Sequence, residues 1–386
     1  MDWRFSESQE MLRKTAREFL EERCPKTLIR AMETDAVGYS PELWRAMADL
    51  GWLGLPFPQK YGGVDGTILD LAILSEEQGR ALAPVPFQSS VVQFGLTILL
   101  GGSEAQRQRY LPAISNGELI ASIAHLEPRI GYEPQFIKLR AEHKGAQYVL
   151  NGTKVFVDWA HVAKVLLVLA RTGPAGADEE GGLSLFLVPS DTPGIRLTPM
   201  PTLAEGQTFE VAFNDVRIPA ENLVGALNAG WSVLKPARQR AIVCKCAEMT
   251  GGASAAFQMS LQYAKQRHAF GRPIGGFQLI QDKLISMVAN LDTMWVAAYY
   301  AAWRLDEGLP SDYDVSIAKA QASKGYREIC VEGHEIHAGI GFFREHDLQL
   351  YYRRSKMAEL EFGDSRYHWQ QVTRELAKNP SLVQSI

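Results

Sequence analysis

The sequence predicts an α+β protein in three segments: a helical domain over 1–118, a β domain over 119–225 and a helical bundle over 226–386. Two changes of hydrophobic period predict it. Apolar residues recur at helical spacing up to about Gly117, at a spacing of two from Leu119 to about Val224, and at helical spacing again after Gly230. A chain of 386 residues is also too long for one simple core, which suggests two or three cooperating domains.

Each segment carries its own punctuation. Ser6 and Ser8 offer starts for a helix bearing Met11, Leu12 and Phe19, Pro41 opens a second helix, and a third is expected over Leu69 to Ala83. In the middle segment Leu139-Arg140-Ala141-Glu142 and Tyr148-Val149-Leu150 read as alternating strands, with Asn151-Gly152 as a hairpin signal. Val165 to Ala170 and Leu183 to Val188 read as buried strands, and Thr172–Gly182 as an exposed loop between them. In the last segment Phe257, Leu261 and Ala264 form a helical stripe. Gly271 is expected to stop that helix, Pro273 marks the break, and Ile280, Leu284, Met287 and Leu291 form a second stripe. Gly251-Gly252-Ala253 is either roomy or well packed.

Composition narrows the class. A net charge of −4 offers no basic patch for nucleic acid and none for a membrane surface. The start, Met1-Asp2-Trp3-Arg4-Phe5, lacks the basic flank and apolar run of a secretory signal, and the apolar run Val162–Ala170 is too short to span a bilayer. Four cysteines show no metal spacing; Cys244 and Cys246 on one helix point apart, so free buried thiols are expected. A cytoplasmic protein without a metal site is the expectation.

The most informative stretch is Tyr263-Ala264-Lys265-Gln266-Arg267-His268-Ala269-Phe270-Gly271-Arg272-Pro273-Ile274, followed by Phe277-Gln278. It places Arg267 at a helix end beside an aromatic residue and a tight turn, where a planar, permanently charged guanidinium suits a pyrophosphate. This string resembles the signature of the acyl-CoA dehydrogenase family, in which an Arg, a Phe-Gly turn and a Gln one helix later grip a flavin dinucleotide. Gly54-Leu55-Pro56 through Tyr61-Gly62-Gly63 resembles the family's early loop. Gln108-Arg109-Tyr110-Leu111-Pro112 with Asn116-Gly117-Glu118 resembles the approach to its middle domain. His337-Ala338-Gly339-Ile340-Gly341-Phe342 resembles its late glycine-rich segment, with Ala338 replacing a usual Gly.

The resemblance implies FAD, an acyl-CoA thioester and α,β-dehydrogenation: a carboxylate takes the α-proton while the flavin accepts the β-hydrogen as hydride. It also implies a fold of N-terminal helices, a middle β-barrel or sandwich and a C-terminal four-helix bundle. In the family a neighbouring subunit covers the adenine and pyrophosphate end of the flavin, so the equipment divides into two halves. The half lent to a neighbour is retained in Arg267, Phe270, Gln278 and Gly339, with Gln281 one turn further on. Glu335 stands where the family has a Gln, and a carboxylate near pyrophosphate repels; His337 beside it is a candidate partner.

The half kept for a subunit's own flavin departs from the pattern. A Thr-Glu-Pro-Gly-x-Gly-Ser-Asp loop becomes His125-Leu126-Glu127-Pro128-Arg129-Ile130-Gly131-Tyr132, and a Trp-x-Thr becomes Phe156-Val157-Asp158, with Trp159 one place late. Asp158 is expected to cap or turn the chain, or else to meet the flavin edge, where an ionised carboxylate accepts but does not donate. Phe362 stands at the usual base position, and the family's alternative base position falls near Ala241. Glu361 and Asp364, flanking Phe362, are the replacement candidates, with bland alternatives as helix-end and cap residues.

Such a pattern resembles the base-lacking subunit of heterotetrameric acyl-CoA dehydrogenases of fatty acid or sterol side-chain degradation. It implies a homologous chain in an α2β2 assembly, or a homotetramer, with electron-transfer flavoprotein as acceptor. Two readings of another class stand beside it: a flavin-dependent monooxygenase, which needs no α-proton base, and a non-catalytic scaffold subunit.

Overall fold

A computed structural model describes residues 3–129, 131–174 and 180–380. The helices are α1 (Glu7–Arg23), α2 (Lys26–Thr34), α3 (Pro41–Asp49), α4 (Ile68–Ala81), α5 (Leu96–Gly101) and α6 (Glu104–Ser115). After the sheet come α7 (Gly230–Gln266), α8 (Gln278–Asp306), α9 (Asp312–His337), α10 (Leu348–Leu360) and α11 (Ser365–Lys378). Packing gathers the chain into two compact units. The first comprises Met1–Ala31, Thr67–Ala83 and Ile242–Ile386; the second comprises Met32–Gly66 and Pro84–Ala241.

Helix starts follow side-chain capping. Ser6 and Gln9 form a capping box on α1, Ser40 caps α3 with Pro41 in its first turn, and Thr67 and Asp70 form a second box on α4. Within the first unit, Asp306 accepts from the first two amides of α4, Ile68 (2.7 Å) and Leu69 (2.9 Å), so two further orphan donors of α4 are satisfied from the end of α8. Gly251-Gly252 is packed rather than roomy. A Cβ on Gly251 would lie 1.8 Å from the carbonyl oxygen of Glu76, and one on Gly79 1.9 Å from that of Glu248. Helices α4 and α7 therefore touch backbone to backbone, which only glycine permits.

The second unit is built on a sheet of β1 (Ala121–Ala124), β2 (Arg140–Lys144), β3 (Gln147–Asp158), β4 (Val165–Arg171), β5 (Leu183–Pro189), β6 (Ile195–Pro199), β7 (Thr208–Pro219) and β8 (Leu223–Val224). The order is β6-β7-β3-β2-β4-β5-β8, with β1 parallel to β4. Its core includes Leu150, Leu166, Val168, Phe186, Val211 and Phe213. The buried strands expected around Val165 and Leu183 are present as β4 and β5; the loop between them lies partly outside the described residues.

Two expectations are corrected. Asn151-Gly152 is not a hairpin turn, because β3 runs through it; the turn between β2 and β3 is Gly145-Ala146. Asn151 instead marks a bulge opposite Asp215, to which it is bonded twice (3.0 and 2.9 Å). Tyr148, Val149 and Leu150 are all buried, so both faces of β3 are covered there and the alternation is lost.

Candidate flavin and acyl-CoA site

The first unit carries Arg267, Phe270, Gln278 and Gly339, the residues expected to meet a flavin dinucleotide. Helix α7 ends at Gln266, four residues before the sequence suggests. The polypeptide then forms a miniature hairpin of β9 (His268–Ala269) and β10 (Arg272–Pro273), with Phe270 (φ 50°) and Gly271 (φ 78°) as its two turn residues. Two successive left-handed residues define a tight hairpin turn, so Gly271 serves the hairpin rather than the helix end. Phe270 is 96% exposed at the tip. The exposed Arg267 guanidinium and the exposed Gln278 amide have no side-chain partner among the described residues, whereas Gln281 Nε2 donates to Gly275 O at 2.9 Å. A Cβ at Gly339 would meet nothing, and Ala338 before it takes a left-handed φ of 53°.

Glu335 has a partner other than the one the sequence suggests. Lys283 on α8 bonds both Glu335 and Glu332, and these acids raise its pKa. His337 is not the partner: it is buried, stacked on Tyr263 at 4.4 Å between ring centres, with Nδ1 on Gly333 O at 2.8 Å. Lys283 was legible only as one charge on a helical surface; its pairing depends on how α8 and α9 lie together.

The surroundings of Phe362 are closed. Phe362 is buried with φ 64°, and the residues around it are engaged. Glu361 pairs with Lys245 at 3.1 Å, and Lys245 also binds Glu248 at 2.9 Å. Burial opposes the Lys245 charge, but the two carboxylates outweigh it and hold its pKa above the ordinary lysine value. Asp364 caps α11, accepting from Tyr367 N at 2.7 Å. Lys319, missed by sequence reading, is fully buried. It donates to Ser323 Oγ (2.8 Å) and to the carbonyls of Ala358 (3.0 Å), Glu359 (3.2 Å) and Gly363 (2.9 Å). An ammonium at the C-terminus of α10 satisfies carbonyls that lack intrahelical partners and matches the helix dipole.

In the second unit, Glu127 anchors the altered loop: it accepts from the amides of Lys138 (2.8 Å) and Leu139 (2.9 Å) and pairs with Lys154 at 2.8 Å. Asp158 ends β3 and accepts from Thr208 Oγ1 at 2.8 Å, with its carbonyl bonded by Ser122. It ties two strands together. Phe156 has φ 53° and is 57% exposed, while Trp159 packs edge-on to Tyr39 and stacks with His161.

Lys154 and Lys319 have a shared consequence. Desolvation lowers each pKa from 10.5 to about 8. Between those values the unfolded chain binds more protons, so stability rises with pH from about 8, by up to about 1.4 kcal/mol per pH unit for each lysine. All four thiols act oppositely and outnumber the two lysines: burial pushes Cys24 up from 9.0 to about 11, Cys244 and Cys246 to about 12, and raises Cys330 as well, so above pH 9 the unfolded chain sheds those protons first. Stability is expected to peak near pH 9. Urea titrations at half-unit steps check this, and a steady fall from pH 7.5 would contradict it.

Three family models cover the chain in order: the acyl-CoA dehydrogenase N-terminal domain matches 6–118, the middle domain 122–216 and the C-terminal domain 228–377. "Probable acyl-CoA dehydrogenase YngJ" of Bacillus subtilis is 31% identical over 98% of this chain and 100% of its own. The caffeyl-CoA reductase-Etf complex subunit CarC of Acetobacterium woodii is 28% identical over 97% and 99%. The ChsE4-ChsE5 complex of Mycobacterium tuberculosis superposes with a TM-score of 0.89 at 26% identity, covering 98% of this chain and 100% of that one. The fold of helices, β domain and helices, with these matches, defines a flavin-dependent oxidoreductase of acyl thioesters. The chain belongs to the acyl-CoA dehydrogenase family. Its substrate class is acyl-CoA and its cofactor is FAD, which supplies a hydride acceptor when bound. The Arg267 guanidinium and Gln278 amide fit an anionic dinucleotide: both can donate, and neither has a side-chain bond to break among the described residues.

Among the described residues, no three His, Cys, Asp or Glu side chains are grouped to hold a metal ion, and no helix is long and apolar enough to cross a membrane. All four cysteines are buried and free.

Proposed function

We propose that this chain is the completing subunit of a cytoplasmic α2β2 acyl-CoA dehydrogenase. It lends Arg267, Phe270, Gln278 and Gly339 to the FAD held by a homologous, base-bearing chain, with electron-transfer flavoprotein as acceptor. One observation carries the reading: both carboxylates beside Phe362 are already committed, Glu361 to Lys245 and Asp364 to the first turn of α11. Neither is free to take a proton from a thioester, and loss of a positioned base typically costs about 10²–10⁴-fold in rate. The Arg267 and Gln278 side chains, by contrast, are displayed with no partner among the described residues. Lys283 pairs with both Glu335 and Glu332, so one ammonium offsets only part of the negative charge that would face a pyrophosphate.

Co-expression with a base-bearing homologue tests this. Yellow colour and ferricenium-coupled oxidation of acyl-CoA are expected only from the mixture. Full activity of this chain purified alone would overturn the reading. Phe362→Glu in the isolated chain is expected to remain inactive, because the new carboxylate would enter a buried position without the flavin contacts that Leu126 and Asp158 replace.

A further inference from the structure

Three histidines gather beneath the glycine-rich segment of the first unit. His334 and His337 are buried on the last turn of α9, and the 3-10 turn Ala338–Phe342 follows directly. Gly341 of that turn rests on both: a Cβ there would lie 3.2 Å from His337 Cβ and 3.5 Å from His334 Cδ2. Between ring centres, His337 is 4.4 Å from Tyr263 of α7 and 4.9 Å from the half-buried His346. His334 packs on Phe342 at 4.9 Å and on Tyr352 of α10 at 5.1 Å.

Their hydrogen bonds fix different tautomers. His334 Nδ1 and His337 Nδ1 face the carbonyls of Cys330 (2.7 Å) and Gly333 (2.8 Å), so each donates there and keeps a lone pair at Nε2. His346 is the reverse. Its Nδ1 accepts from the amide of Leu348, the first residue of α10, at 3.2 Å, so the neutral ring carries its proton at Nε2. A further proton on His346 must go to Nδ1, where it breaks that bond and sets a cation against the positive end of α10.

The charges around His346 come from every element packed on it. Arg30 of α2 donates to the Glu345 carbonyl (2.8 Å) and pairs with Asp347 (2.8 Å). Arg344 and Glu345 precede the ring in the chain, α9 brings His334 and His337, and α7 and α10 bring Tyr263 and Tyr352. Burial lowers the His346 pKa below the ordinary 6.5; Asp347 opposes the shift, and His334 and Arg30 add to it. Burial lowers His337 as well, against its Gly333 bond and with help from His346 and His334. Rings that bind protons less tightly when packed favour the closed segment above pH 6.5, and closure is lost as pH falls below it.

We propose that His346 is an acid-sensitive latch on the connection between α9 and α10: a proton taken up at Nδ1 frees the Leu348 amide and loosens residues 338–347, Gly339 included. The consequence, a weaker hold on a flavin dinucleotide in mild acid, rests on the role of Gly339 proposed above.

Hydrogen exchange read by mass spectrometry on the full chain tests the latch, with rates corrected for the intrinsic effect of pH. Protection of peptides spanning 338–350 is expected to fall about fivefold or more from about pH 7.5 to about pH 5.5, the change that one lost hydrogen bond gives. Peptides of β4 and β5 serve as the unresponsive control. His346→Asn offers an oxygen that accepts from the amide two residues on and does not titrate, so its protection is expected to stay high throughout. His346→Ala has no acceptor, so its segment is expected to be as loose in neutral buffer as the wild type is in acid. Wild-type protection that ignores acid, or that is lost equally in His346→Asn, overturns the proposal. In the assembled holoenzyme, flavin fluorescence after gel filtration in acid is expected to show more loss from wild type than from His346→Asn. Equal flavin retention beside acid-dependent exchange would overturn the role given to Gly339, because the latch itself would have been seen to open.

Discussion

Lys319→Met is expected to destabilise the protein by about 3 kcal/mol and to loosen the segment from Leu360 to Asp364. Two opposing effects set the size. The substitution leaves the carbonyls of Ala358, Glu359 and Gly363 without their donor, at a cost of about 1–3 kcal/mol each. It also removes a buried ammonium whose pKa, lowered from 10.5 to about 8, corresponds to about 3 kcal/mol of unfavourable charge burial at neutral pH. Three orphaned acceptors outweigh one relieved charge. Urea unfolding measures the loss, and hydrogen exchange at Gly363 and Asp364 reports the local effect. A change below 1 kcal/mol with unaltered exchange would mean that the segment is held by other contacts, such as the bond between His368 Nε2 and Phe362 O (3.2 Å).

Arg267→Ala is expected to strip FAD from the assembled oligomer while leaving the fold untouched. The side chain is exposed and makes no bond among the described residues, so its removal costs little stability. The backbone bonds of Arg267 to Tyr263 (2.8 Å) and Ile274 (2.8 Å) survive the substitution. Loss of a charge-assisted, bidentate contact to a phosphate is worth about 2–4 kcal/mol, or roughly 30- to 1000-fold in affinity. Flavin fluorescence after gel filtration gives the bound fraction, and a melting curve gives the control. Retention of full flavin with unchanged affinity would remove Arg267 from the binding site.

Much of the fold was legible because local chemistry repeats itself along the chain. The serines and threonine before α1, α3 and α4 cap the helices they precede, and the apolar runs at Val165 and Leu183 became strands. The misreadings have a common cause. Asn151-Gly152 and Gly271 each carry a left-handed or turn preference, and that preference is satisfied equally well by a bulge, a hairpin tip or a helix end. The choice belongs to the neighbouring strand or helix. The partner of Glu335 was sought in His337 for a related reason, since its actual partner, Lys283, lies 52 residues away in sequence.

By itself, the sequence determined the family, the arrangement of helices, β domain and helices, FAD and acyl-CoA. These follow from residue types at fixed spacings, which persist whatever the packing. Only the tertiary structure decided what became of Glu361, Asp364, Glu335 and Asp158, and it revealed the buried lysines at 154, 245 and 319. A carboxylate's chemistry depends on the charge that reaches it and the water it has lost, and both are set by residues far away along the chain.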